Sequence, residues 1–161
     1  LVLSHETPPS MITGIRPDAE TAVRAGFEFI QFMKVDEEIS LAVDAYLRSL
    51  KPVASPYLVN GILNATAEQG KIIFERENCH SCHPAPYYTD QKLHKMGSAG
   101  EYGQQQAWDT PTLVECWRTG PYLHDGRCAT MMEVFTEEKH GLEKELSQDE
   151  LVQLVEYVLS L

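Results

Sequence analysis

Cys79-His80-Ser81-Cys82-His83 sets two cysteines two residues apart with a histidine directly after the second. This C-x-x-C-H spacing is the attachment signal of a c-type haem. Two thiols one helical turn apart can each add to a vinyl group of the same porphyrin, and the adjacent histidine is then held under the iron as proximal ligand. The competing reading is half of a zinc site. Such a site needs a second Cys/His pair some twelve to twenty residues on. After His83 the chain offers only an isolated His94 and Cys116. Cys79, Cys82 and His83 are therefore the candidate haem residues, with one covalent haem c expected.

Bulk properties bound the partners. The chain has 161 residues, 43% of them hydrophobic and 23% charged, which suits one domain with a sizeable core or one small domain plus part of another. Its net charge of −11 argues against nucleic acid and for a redox partner with a basic patch. No apolar run reaches the length of a membrane span. Leu1-Val2-Leu3 is too short for a signal-peptide core, and the first residue is not Met, so the sequence reads as a mature or truncated product. Haem attachment to C-x-x-C-H takes place outside the cytoplasm, so a bacterial periplasmic or otherwise extracytoplasmic location is expected.

Outward from the motif, Ala65 to Phe74 reads as a short helix leading into it, with Ile72, Ile73 and Phe74 directed at the core. Downstream, residues 84–106 read as a long loop of the kind that wraps a ligand. Thr110-Pro111 is expected to open a helix running to Arg118, Tyr122 to Gly126 a tight turn, and Thr130 to cap a helix ending at Phe135. Ser147 and Glu150 form a capping box for a final helix that buries Leu151, Leu154, Val155, Val158 and Leu159.

The first sixty residues carry no haem motif. A proline-containing lead-in to Pro17 precedes a helix from Asp18 with Ala22, Val23, Gly26, Phe27, Ile30 and Met33 at helical spacing. A second helix from about Asp36 to Leu50 is expected to bury Ile39, Val43, Tyr46, Leu47 and Leu50, and Pro52 ends it before a linker. Tyr46-Leu47-Arg48-Ser49-Leu50 echoes Tyr157-Val158-Leu159-Ser160-Leu161. Either both are terminal helices of equivalent cytochrome units, or two amphipathic helices share a common pattern. On the first reading, residues 1–60 are the tail of a preceding unit plus a linker, and residues 61–161 are a mono-haem cytochrome c domain.

Residues 64–161, about three-fifths of the chain, resemble the C-terminal haem domain of the bacterial di-haem cytochrome c peroxidase and MauG-like superfamily. The resemblance rests on the C-x-x-C-H after a short helix, Tyr88-Thr89-Asp90 with His94 and Gly97, Thr110-Pro111-Thr112-Leu113, and Arg118-Thr119-Gly120-Pro121-Tyr122-Leu123-His124-Asp125-Gly126. The segment up to Pro56 is also similar to the end of the first haem domain in tandem members. One departure stands out, since a di-haem enzyme needs two C-x-x-C-H motifs and this chain has one.

The resemblance implies an all-α fold, a cytochrome c domain around one covalent haem, preceded by helices like the end of another such unit. In the peroxidases the corresponding haem takes a methionine about a dozen residues past the His-Asp-Gly turn, before a small residue. Here that spot holds His140-Gly141, so His140 is the expected distal iron ligand, with Met131 or Met132 as alternatives. Bis-histidine ligation gives a lower potential than His/Met.

The remaining candidates have ordinary uses. His80 is expected to face solvent, and His94 and His124 to hydrogen-bond a propionate or backbone. His124, Asp125 and Arg118 are read as an ion pair and turn rather than as an acid/base set for peroxide cleavage. Trp108 and Trp117 are read as core. Cys116 and Cys128, twelve apart, are expected to form a disulfide in an oxidising compartment. The function expected is electron transfer by a c-type cytochrome outside the cytoplasm, not catalysis by this chain. The alternative is the electron-entry domain of a cytochrome c peroxidase-type oxidoreductase that acts with an upstream haem domain or subunit.

Overall fold

The computed structural model describes residues 3–95 and 107–161; Gly97 and the Gly-, Ser- and Gln-rich stretch that follows it lie outside the described residues. Regular structure in the described residues is helical apart from one two-stranded sheet. The helices are α1 (Ala19–Ala25), α2 (Glu37–Ser49), α3 (Ala65–Arg76), α4 (Met131–Thr136) and α5 (Gln148–Leu159). A π-helical turn, Gly26–Ile30, continues α1, and single 3-10 turns cover Cys79–Ser81 and Cys116–Arg118. The short strands β1 (Leu93–His94) and β2 (Trp108–Asp109) pair antiparallel, with Leu93 opposite Asp109 and His94 opposite Trp108. This pairing corrects the expectation of an uninterrupted loop. The helix expected from Thr110 also contracts to the turn at Cys116, because Thr110 is used instead to tie its N–H and hydroxyl to the Lys92 carbonyl.

The core is built on α3 against α5. Asn64 caps α3 by accepting from the Ala67 N–H, and the Ser147/Glu150 capping box starts α5 as expected. Ala67, Gly70, Ile73 and Phe74 face Leu151, Leu154, Tyr157 and Val158. The two helices cross closely at Gly70. A Cβ there would lie 1.8 Å from the Gln153 carbonyl oxygen and 2.7 Å from the Tyr157 Cβ. Ile72 points outward, and Val155 is only half-buried, its expected place being taken by Tyr157. α4 closes the core from a second side, started by a Thr130/Glu133 capping box.

The first sixty residues pack differently from expectation. Asp18 caps α1 through the Thr21 N–H, as its position suggested. In α2, however, the buried residues are Ser40, Asp44 and Leu47, while Ile39 and Tyr46 are exposed. Asp44 is drawn inward because its carboxylate takes a 2.9 Å hydrogen bond from Arg24 on α1. An ion pair thus holds α1 to α2 and turns the apolar side outward. Phe29, Ile30, Phe32, Met33, Ile39 and Tyr46 all stand exposed on this segment. The linker is pinned to the rest of the chain. Ser55 donates to the Leu159 carbonyl at 2.6 Å, and the Val53 N–H donates to the buried Glu115 carboxylate.

Replacing Gly70 by alanine forces α3 away from α5 backbone. The expected loss is roughly 3 kcal/mol, the upper end of the overpacking range, read as a lower midpoint in thermal or denaturant unfolding. An unchanged midpoint would contradict the crossing described here.

Candidate functional site

The site grows from the end of α3. Asn78, in the left-handed conformation at φ 60°, breaks the helix and starts the turn that carries the C-x-x-C-H residues. The Cys79 carbonyl accepts from the N–H groups of both Cys82 and His83, so the five residues coil as one turn. Cys79, Cys82 and His83 lie on one wall of a cavity of about 460 Å³, within the range of small-molecule sites. His94 and Trp108 of the strand pair, Leu123 and His124 of the turn, and Met131, Val134 and Phe135 of α4 line it too. Ile12 of the lead-in also reaches it, held there by a hydrogen bond from the Asp109 N–H to the Ile12 carbonyl.

His83 is set for ligation. Its Nδ1 lies 2.9 Å from the Tyr88 carbonyl, an acceptor, so Nδ1 carries the proton and Nε2 keeps its lone pair. Burial pushes its pKa down, which keeps the ring neutral. Burial also raises the Cys79 thiol, to about 11. What this wall can do chemically is hold a flat apolar group through two thioethers and offer one imidazole nitrogen to a metal.

His140 lies on the same cavity. Its backbone N–H returns to the Val134 carbonyl, and Gly141 turns left-handed at φ 69° just after it. Its Nδ1 is buried without a hydrogen-bond partner. Burial, with the His83 charge as a second cause, pushes the His140 pKa down to about 4. Two neutral imidazoles therefore face one cavity. Met131 lines it as well, whereas Met132 is not among its lining residues.

His80 is exposed, 3.1 Å from Glu75. His94 accepts or donates at 2.8 Å with Asp90. His124 stacks on Trp108 with ring centroids 4.1 Å apart. Arg118 is paired with Glu115 and Asp125 with Arg127, while His124 Nε2 lies 4.0 Å from the Asp125 carboxylate. Trp117 packs against the core, as expected. The Cys116–Cys128 disulfide is not formed. Both cysteines are free and buried, and the Cys116 thiol donates to the Val158 carbonyl at 3.0 Å, which engages it on α5 instead.

Asp109 escaped the sequence reading. It lines the cavity, its Oδ1 is buried without a partner, and burial together with the neighbouring Asp90 charge raises its pKa to about 6. An isolated Asp before Thr-Pro carries no signal that would single it out.

No family model matches the chain. Among curated proteins it is 28% identical to hydrazine synthase subunit gamma of Kuenenia stuttgartiensis, over 74% of this chain and 48% of that protein. It is 25% identical to methylamine utilization protein MauG of Methylophilus methylotrophus, over 74% of this chain and 44% of that protein. It is 27% identical to cytochrome c551 peroxidase of Nitrosomonas europaea, over 62% of this chain and 35% of that protein. The chain thus resembles the di-haem cytochrome c peroxidase and MauG-like superfamily. Solved structures agree in fold. Kuenenia stuttgartiensis hydrazine synthase superposes with a TM-score of 0.74 at 24% identity, covering 87% of this chain and 60% of that one. A MauG-like protein associated with microbial copper homeostasis gives 0.73 at 17%, covering 98% and 69%. The chain spans half or less of the curated superfamily members it matches.

Asp109 generates a pH prediction. Its folded pKa, about 6, lies above the usual carboxylate value near 3.8. Between those values the folded chain holds a proton that the unfolded chain has released, so its contribution to stability is full below the lower value and is lost as pH rises through the upper one. Asp109→Asn should therefore match the parent near the low end of that window and exceed it in melting temperature above the high end. Parallel melting curves across the window would contradict this.

Proposed function

We propose that the chain is an extracytoplasmic c-type cytochrome that holds one covalent haem and passes single electrons. The observation that carries this reading is the apposition of Cys79, Cys82 and His83 on one wall of an apolar cavity with His140 on the same cavity. The residues fit a haem. Two thiols are in the attachment spacing, one imidazole turns its Nδ1 to the Tyr88 carbonyl, and the second has a buried ring nitrogen with no hydrogen-bond partner among the described residues. Haem, when bound there, supplies one-electron chemistry at its iron. In this reading Cys79 and Cys82 hold it covalently, His83 is the proximal ligand and His140 the distal one. Met131, on the same cavity, is the alternative distal ligand. The protein's own part is to exclude water through Val134, Phe135 and Leu123, and to present the site to a partner. The net charge of −11 suits a partner with a basic docking face. No helix among the described residues is long and apolar enough to cross a membrane.

A second reading has support of its own, in which the chain is the electron-entry domain of a peroxidase-type enzyme that acts with another haem domain or subunit. Two of the relatives are a MauG protein and a cytochrome c peroxidase, and a third is a subunit by name. The exposed apolar residues of the first sixty favour it too. Tyr46 and Tyr157 are equivalent in the internal echo, yet Tyr157 is 2% exposed against α3 and Tyr46 is 64% exposed. On this reading residues 1–60 are the tail of a preceding cytochrome unit plus linker. The face carrying Tyr46 would meet that unit's counterpart of α3.

The test is expression with the c-type haem maturation machinery, followed by denaturing electrophoresis with haem staining. The parent is expected to stain and Cys79→Ala/Cys82→Ala not to. His140→Ala should stay stained but lose the low-spin optical spectrum of the parent. A parent chain that never stains would overturn the reading, and a His140→Ala spectrum identical to the parent's would assign the distal position to Met131.

A further inference from the structure

The C-terminal helix reaches the His83 ligand through two tyrosines. The Tyr88 carbonyl takes the His83 Nδ1 proton at 2.9 Å. Tyr88 sits in the left-handed region at φ 52°, two residues past Pro86, a conformation that a bulky residue holds only when its surroundings fix it. Its side chain is held from both α5 and α3. The Tyr88 hydroxyl lies 3.3 Å from the Tyr157 hydroxyl on α5, and Phe74 of α3 sets its ring edge-on against both tyrosines. Tyr157 is itself 2% exposed, and burial, followed by its bond to Tyr88, raises its pKa well above the ordinary phenol value. It therefore stays a neutral phenol, able to donate or accept. Its backbone is held at the close crossing with Gly70. No other hydrogen bond involving the Tyr157 hydroxyl occurs among those found for the described residues.

We propose that Tyr157 is a positioning residue for the axial histidine, acting through Tyr88: its hydroxyl fixes the loop whose carbonyl accepts the His83 Nδ1 proton. This rests on the haem reading above. An outer hydrogen bond of this kind sets the ring orientation and raises the basicity of a metal-bound histidine. A more basic axial imidazole favours the ferric over the ferrous state, so the Tyr157–Tyr88 bond holds the potential down. The effect does not depend on the identity of the distal ligand. It also gives the partly buried hydroxyl pair, an arrangement that two phenylalanines would replace without loss of packing, a purpose in the site.

The experiment is potentiometric titration of the haem-loaded chain in the parent, Tyr157→Phe, Tyr88→Phe and the double variant. Each single variant keeps its ring and is expected to raise the midpoint potential with a low-spin spectrum retained. The double variant should match the single ones, because all three break the same bond. Leu154→Val, which loosens the same core away from the cavity, serves as the control. It should lower the melting temperature and leave the potential in place. Unmoved potentials in both tyrosine variants, or shifts that add in the double variant, would overturn the proposal. So would a control that shifts the potential as far as the tyrosine variants do. A parent chain without haem would instead overturn the function reading on which the proposal rests.

Discussion

The crossing of α3 and α5 at Gly70 is the constraint on which the rest of the chain depends. Only a residue without a Cβ lets α3 backbone approach the Gln153 carbonyl so closely. That approach buries Ile73 and Phe74 against Leu154 and Tyr157. It also fixes where α3 ends, and hence where the Cys79–His83 turn emerges. The same crossing delivers Tyr157 to the Tyr88 loop. The wall of the cavity and the acceptor for His83 are thus set by one helix pair rather than by the loops that surround them.

The C-x-x-C-H motif, the Thr130 cap, the Ser147/Glu150 capping box and the final helix were legible from the chain because each is a local code. A cap is decided within four residues and a C-x-x-C-H within five, so nothing distant overrides them. What was not legible depends on partners far apart in sequence. The β1–β2 pair joins residues on either side of a long connection. The inward turn of α2 depends on Asp44 finding Arg24, which outweighs the apolar residues the helical period would have buried. The Cys116–Cys128 pairing rested on compartment and count. The structure gives the Cys116 thiol a backbone acceptor on α5 instead. His83 and His140 were both named from the sequence, but that each is half-buried and lines one cavity is a property of the fold. Asp109 has no motif at all, and its significance comes entirely from its surroundings.

The two ends of the chain differ in a way that bears on its assembly. From Leu63 onward most of the described apolar residues pack into one core beside the cavity, with Ile72, Leu93 and Val152 left exposed. The first sixty residues are tied on by polar bonds, from Ser55, Val53 and Ile12, and keep much of their apolar surface outside. Polar tethering beside unspent apolar surface is the pattern of an element that packs on something further. Since the superfamily members matched are twice the length or more of the share this chain covers, a second unit is the natural occupant in the reading proposed here.

In the proposed reading the cavity holds a haem between His83 and His140. Near-infrared magnetic circular dichroism of the oxidised, haem-loaded chain tests it most directly, because the position of the charge-transfer band distinguishes paired imidazoles from imidazole with thioether. The bis-imidazole band is expected. A thioether band would contradict it and move the distal ligand to Met131, and a high-spin spectrum would contradict a six-coordinate electron carrier altogether.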